Sequence, residues 1–345
     1  MKELLKQLSE LSAPTGGEEE VAEYLAREFR KSGFDVRRDT LGNVIAKKGK
    51  GKKVMVVAHM DEICMAVMGI TKEGFIKFTK IGGIYDGILG SSRVVLHAKG
   101  RKITGIIGMK PPHLMKEEES KKMQESDAMY VDVGAKDKKA VEEMGIRPGT
   151  LISFASKFEE LNHDKVVGKA FDNRAGCAIL VELAHEIKNP GCELYLVGSV
   201  REETGLWGAG VSAFGIQPDL AIATDVSFAS GSPDVSEDTV PVHFNGGPSL
   251  GVIEAGGRGL MMTKKLIEWI EHLAKRKKIK MQFDVIDRGA TDASRMQYLR
   301  EGLLTASICV PSRYIHSQNE MISLSDLEET KDLIREIILN FDDYE

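Results

Sequence analysis

Cysteine is scarce in this sequence: Cys64, Cys177, Cys192 and Cys309 are scattered, with no C-x-x-C pair among them. That spacing excludes a disulfide framework and a cysteine-built zinc site, and it fits a reducing compartment. Cys64 lies near the stretch singled out below, but nothing else supports thiolate catalysis. Also missing is any apolar run of membrane-spanning length. Residues 1–6 read as the start of an amphipathic helix rather than a signal peptide, so the expected location is cytoplasmic, with no membrane partner. Positive charge is not in excess either. The formal net charge is -5 with acids and bases interspersed, which excludes an extended nucleic-acid surface. The short basic runs at 136–139 and 275–278 read as solvated loops or helix ends. The chain shows no internal repeat.

The 345 residues are 42% hydrophobic and 29% charged, a globular composition with room for one large or two ordinary domains. Residues 4–11 read as a helix, and Thr15-Gly16-Gly17-Glu18 reads as a capping box for a second helix carrying Val21, Leu25 and Phe29. Short strands at 35–38 and 44–47 then lead to the apolar run Val54-Met55-Val56-Val57-Ala58. Between residues 66 and 162 the texture changes to short β-like runs punctuated by glycine, which suits a small barrel or sandwich. Within it, residues 115–127 are almost all polar or charged and read as a surface loop or weak helix. Alternating strand and helix segments return from Lys165 to the end, the last a helix over 324–340 preceded by Ser323. One α/β domain interrupted by a β module is the organisation this pattern predicts.

The apolar run ends in His59-Met60-Asp61-Glu62, the pattern of a buried strand that stops at a site. Residues two apart on a strand share a face, so Asp61 can orient the His59 imidazole. A core histidine beside a neighbouring acid would look the same. Acids or imidazoles stand at four further places where an apolar run gives way to polar residues. Asp172 precedes a helix and would by itself be read as its cap. Glu202 and Glu203 follow the strand at 194–200, ahead of the glycine-rich turn 205–210. Asp225 ends the run 220–224, and His316 follows residues 310–315. All lie at or near the carboxyl ends of expected strands, where open α/β sheets assemble their sites. Two histidines with several carboxylates suit a pair of borderline divalent ions, with one acid left over to accept a proton.

Taken together, His59-Met60-Asp61-Glu62, Phe171-Asp172-Asn173-Arg174, Glu202-Glu203, Thr224-Asp225-Val226 and Arg313-Tyr314-Ile315-His316-Ser317 resemble the TET, or FrvX-type, family of glutamyl-aminopeptidase-like two-metal enzymes. The resemblance runs over essentially the whole chain. It implies a three-layer, mixed-sheet α/β metallopeptidase domain made of residues 1–65 and 163–345. Residues 66–162 would form an inserted small, PDZ-like β-barrel used for dimerisation, in a tetrahedral homododecamer built from dimers. It also implies that His59 and Asp225 bind one zinc or cobalt ion and that Glu203 and His316 bind a second. Asp172 would bridge them, Glu202 would be the general base and Asp61 would orient His59. A cis peptide is expected after Asp172. Substrates would be short peptides with a free N-terminus, and His243, Ala290 and Thr291 would face them. Ala290 departs from the family's G-G-T-D-A loop, and Cys64 stands where many members have glycine. A two-metal deacylase or carboxypeptidase acting on N-acylated compounds, and a metal-free glycosidase using a carboxylate pair, are the competing readings.

Overall fold

A computed structural model describes residues 1–344. The two amphipathic patterns at the start become α1 (Lys2–Glu10) and α2 (Glu19–Lys31), which bury Leu5, Leu8, Val21, Leu25 and Phe29. Thr15 does not cap α2 as the T-x-x-E pattern predicts. Its hydroxyl donates instead to Asp61 Oδ2 at 2.9 Å, while Glu18 Oε1 accepts the Gly16 N–H at 2.8 Å. A hairpin of β1 (Asp35–Arg38) and β2 (Val44–Lys48) leads into β3 (Lys53–His59), buried at every position after Lys53.

Beyond Glu62 the chain leaves this sheet. Strands β4 (Cys64–Ile70), β5 (Ile76–Ile81), β6 (Arg93–Ala98), β7 (Arg101–Gly108), β8 (Tyr130–Asp132) and β9 (Leu151–Phe154) close into an antiparallel barrel in the order β4-β5-β8-β7-β6-β9. Alternate residues such as Val94, Leu96 and Ile107 point inward and give the barrel a core of its own. The polar segment carries one helical turn, α3 (Glu117–Ser120). Helix α4 (Lys138–Glu143) stops before Gly145, whose φ of +84° favours a residue without Cβ.

The chain returns through β10 (Glu159–Glu160) and β11 (Lys165–Gly168). It then runs α5 (Phe171–Glu186), β12 (Glu193–Ser199), α6 (Trp207–Ile216), β13 (Leu220–Phe228), β14 (Ser249–Ile253), α7 (Lys264–Lys277), β15 (Gln282–Val285), α8 (Asp292–Met296), β16 (Thr305–Arg313), β17 (Glu320–Ser323) and α9 (Leu324–Asn340). Two details differ from the sequence pattern. Most of the glycine-rich stretch read as a turn belongs to α6, and Asp225 lies inside β13 rather than ending it.

The strands form one mixed sheet in the order β1-β2-β12-β3-β13-β16-β17-β11-β10, with β14 paired to β16 and β15 to β14. At its centre β12, β3, β13 and β16 run parallel. Helix α5 packs on β3 and β13 with α1, α2 and α9 around it, and α6 and α8 cover the other face. Burial on both faces accounts for the uninterrupted apolar runs of these strands. Because the four are parallel, their carboxyl ends share one edge.

Candidate metal centre and active site

That edge collects the polar residues. His59 is the last residue of β3, Glu202 and Glu203 follow β12, Asp225 lies late in β13, His316 is in the turn after β16, and Asp172 opens α5. Ala170, Arg201, Leu206, Tyr314 and His316, all non-glycine, hold positive φ here. Each such residue costs about 1–3 kcal/mol and persists only where its surroundings overdetermine it. The Asp172–Asn173 peptide bond is cis, and both residues depart from helical φ and ψ. The capping task read for Asp172 is performed by its neighbour: Asn173 Oδ1 accepts the Gly176 N–H at 2.9 Å, and its amide donates to the Thr224 carbonyl at 2.8 Å. The Asp172 carboxylate is thereby left to face the site.

One oxygen of Asp172 lies 2.9 Å from His59 Nε2 and the other 3.4 Å from His316 Nε2. Asp225 Oδ1 is 3.8 Å from His59 Nε2, Glu202 Oε2 is 3.9 Å from the same nitrogen, and Glu203 Oε2 is 3.3 Å from His316 Nε2. Three sets have ligand atoms within 4.8 Å of one another: His59, Asp172 and Asp225; Asp172, Glu203 and His316; and His59, Glu202 and Glu203. Both imidazoles are anchored through Nδ1, which leaves Nε2 for the site. For His59 the nearer partner is the Asp61 carbonyl at 3.1 Å, with the Asp61 carboxylate at 3.5 Å. For His316 it is the Gly83 carbonyl at 3.1 Å, supplied by the loop after β5 of the barrel. Asp61 also accepts the backbone N–H groups of Glu202 and Glu203 at 3.1 and 3.3 Å, so one carboxylate orients three of the site residues.

Four buried carboxylates and two imidazoles lie within reach of one another here, and the strain is electrostatic. Burial, with Asp225 and Glu203 beside it, pushes Glu202 well up. Burial and Asp172 raise Glu203 to about 8, and burial drives Asp225 well up. Burial alone would also raise Asp172, but the two imidazoles outweigh it and hold that carboxyl below its usual range. Among the described residues Glu203 Oε1 is buried without a hydrogen-bond partner. Such a cluster is short of cations, and nitrogen and carboxylate donors of this kind suit divalent ions.

A cavity of about 500 Å³ opens beside these groups. Its other walls include Leu206, Phe228, Ile286, Ala290, Thr291 and Ile315, with no lysine or arginine among the lining residues. Ala290 is thus part of the cavity wall. Thr291 lines the wall too, but its hydroxyl points inward, donating to Glu254 Oε1 at 2.8 Å and capping α8. His243 is exposed and does not line the cavity; its backbone N–H donates to Gln282.

The sequence matches the M42 glutamyl aminopeptidase family over residues 42–333. The chain belongs to that family. It is thus a metal-dependent aminopeptidase. FrvX of Escherichia coli K12 is 38% identical over 335 residues, covering 96% of this chain and 93% of FrvX. The solved aminopeptidase APDkam598 from Desulfurococcus kamchatkensis superimposes with a TM-score of 0.94 at 35% identity, over 98% of this chain and 94% of that one. The Pyrococcus horikoshii TET1 peptidase, which assembles into a tetrahedron or a large octahedral shell, has a TM-score of 0.88 at 29% identity, covering 97% and 98% of the two chains.

Around the M42 site the structure adds residues that the motifs leave unread. Glu62, Lys169 and Arg174 form a buried ion cluster behind His59. Lys169 Nζ lies 2.7 and 2.9 Å from the Glu62 oxygens, Arg174 Nη2 lies 3.3 Å from Oε1, and Arg174 Nη1 donates to the Met60 carbonyl. Asp292 accepts from Ser199 at 2.7 Å, and burial raises it to about 6. Glu320 is buried at the start of β17. Glu62 and Arg174 sit inside the motifs and were visible there as unassigned charges; Glu320 lies three residues beyond the last motif and carries no local signal.

Proposed function

We propose that this M42 enzyme releases single residues from the free N-terminus of short peptides with two divalent ions, zinc or cobalt, per subunit. His59 and Asp225 would hold one ion, Glu203 and His316 the other, and Asp172 would serve both. The observation that carries the reading is the buried Asp172 carboxylate, whose two oxygens lie 2.9 and 3.4 Å from two different imidazoles. Bound ions supply Lewis acidity for activating water and polarising the scissile carbonyl. Glu202, on the cavity wall beside His59 and Asp225, takes the proton from the attacking water and passes it to the departing amine. Asp61 holds His59 through its carbonyl and carboxylate and the two glutamates through their N–H groups, so it orients rather than reacts. We assign residues 1–65 and 163–345 to the catalytic domain and residues 66–162 to an inserted PDZ-like dimerisation barrel. The TET1 shell supports a tetrahedral dodecamer as the working assembly.

Glu202→Gln is the direct test. Metal analysis should find the ions retained while kcat on an aminoacyl anilide falls by about 10²–10⁴-fold. Unchanged turnover removes Glu202 as the base, and full activity after every divalent ion is stripped removes the reading altogether. Preferential cleavage of N-acylated substrates over free ones would point to the deacylase.

A further inference from the structure

Glu320 reaches two segments of the site at once. Its carboxylate is buried, and it accepts two backbone N–H groups on separate oxygens, that of Asp172 on Oε2 at 2.8 Å and that of His316 on Oε1 at 3.0 Å. Those two residues are 144 positions apart, a spacing read directly from their numbers. One arrives on the first turn of α5, just after β11, the other on the turn between β16 and β17. Strand pairing explains how one side chain reaches both. In the sheet Glu320 stands opposite Gly168 of β11, four residues before Asp172, while the next residue, Met321, pairs with Arg313 of β16. Of the two clamped backbones, His316 sits in the left-handed region at φ +60°, and Asp172 departs from helical φ and ψ within α5.

We infer that Glu320 is a positioning residue for the ion site formed by Asp172, Glu203 and His316, setting the spacing of two ligands without touching the ion. One hydrogen bond to Glu320 holds the main chain at each of the two residues, so their side chains start from a fixed place. The inference rests on the two-metal reading above. The set of His59, Asp172 and Asp225 shares only Asp172 with the clamp and should depend on it less.

The experiment is calorimetric titration of zinc into the intact, chelator-stripped protein, with the visible spectrum of the cobalt-loaded form as a second readout. Glu320→Ala is expected to weaken one of the two ions by about 10–100-fold, to weaken the other less, and to change the cobalt spectrum. Activity should recover as zinc is raised. Glu320→Gln keeps one accepting oxygen and should fall between Ala and wild type. Wild-type affinity for both ions in both variants overturns the inference, even if the metal-free melting temperature drops, because that result describes a purely structural clamp. Failure of both variants to yield folded protein overturns it too, assigning Glu320 to folding. If the wild-type protein itself binds no divalent ion, the two-metal reading fails first and this inference goes with it.

Discussion

Arg174 has no solvent exposure and lies directly behind the proposed ligands, donating to the carbonyls of Leu8 and Met60 and to Glu62. Lys169 shares Glu62, and burial pushes the Lys169 ammonium down, so the cluster depends on Glu62 remaining charged. Arg174→Met removes a cation and three hydrogen bonds while keeping much of the volume. It should cost about 3–5 kcal/mol, the range for breaking one side of a buried ion pair, read as a lower denaturation midpoint of the metal-free protein. The same substitution loosens the Met60 carbonyl next to His59, so metal affinity should fall as well. Much at this scale could be read from the residue types. His59 was recognisable because it closes an apolar run, and Asp225 because its charge interrupts one. The partners were not: whether His59 leans on the Asp61 carboxylate or its carbonyl depends on how the backbone turns after β3.

Where elements join, the entry to α9 is held by Asp164, immediately before β11. Its carboxylate accepts from Lys165 Nζ at 2.6 Å, from the hydroxyls of Ser323 and Ser325 at 2.6 Å each, and from the Ser325 N–H at 3.3 Å. Burial pushes its pKa up, but these hydrogen bonds outweigh burial and hold it well below the usual carboxylate range. A carboxyl depressed on folding adds stability at any pH above its unfolded value near ~3.9 and loses that contribution as pH falls toward the folded value. Asp164→Asn should therefore melt lower than wild type from pH 5 to 8, and the gap should narrow as pH falls below about 4. A gap independent of pH would mean that shape rather than charge matters there. Helix α9 itself was predicted to the residue, with Ser323 ahead of it. Helix α6 was not, because its glycines suggest a turn. Gly208 is needed where the chain crosses its neighbours, since a Cβ there would lie 2.4 Å from both Asn43 Oδ1 and the Val200 carbonyl oxygen, and only the packed sheet reveals that approach.

Over the whole molecule, divalent ions that bind only the folded chain should stabilise it by mass action, about 4 kcal/mol at a thousandfold excess over Kd. Chelation should lower the melting temperature, and zinc or cobalt, but not magnesium, should restore it in scanning calorimetry. The magnesium arm follows from the imidazole ligands, which suit the borderline metals. Sedimentation at micromolar concentration should show a twelve-subunit species; a monomer at every concentration would contradict the proposed shell. No helix among the described residues is long and apolar enough to cross a membrane. The sequence by itself determined the alternation of strands and helices, the interrupting β module and the order of the polar motifs at strand ends. Those features are local, set by hydrophobic period, glycine punctuation and charge at strand ends. Only the tertiary structure decided that β12, β3, β13 and β16 lie parallel side by side, that a barrel loop reaches His316 through Gly83, that His243 stays outside the cavity, and that Glu320 joins the distant segments of Asp172 and His316. Each of these depends on contacts between residues far apart in the chain, which sheet pairing and burial select and local patterning does not encode.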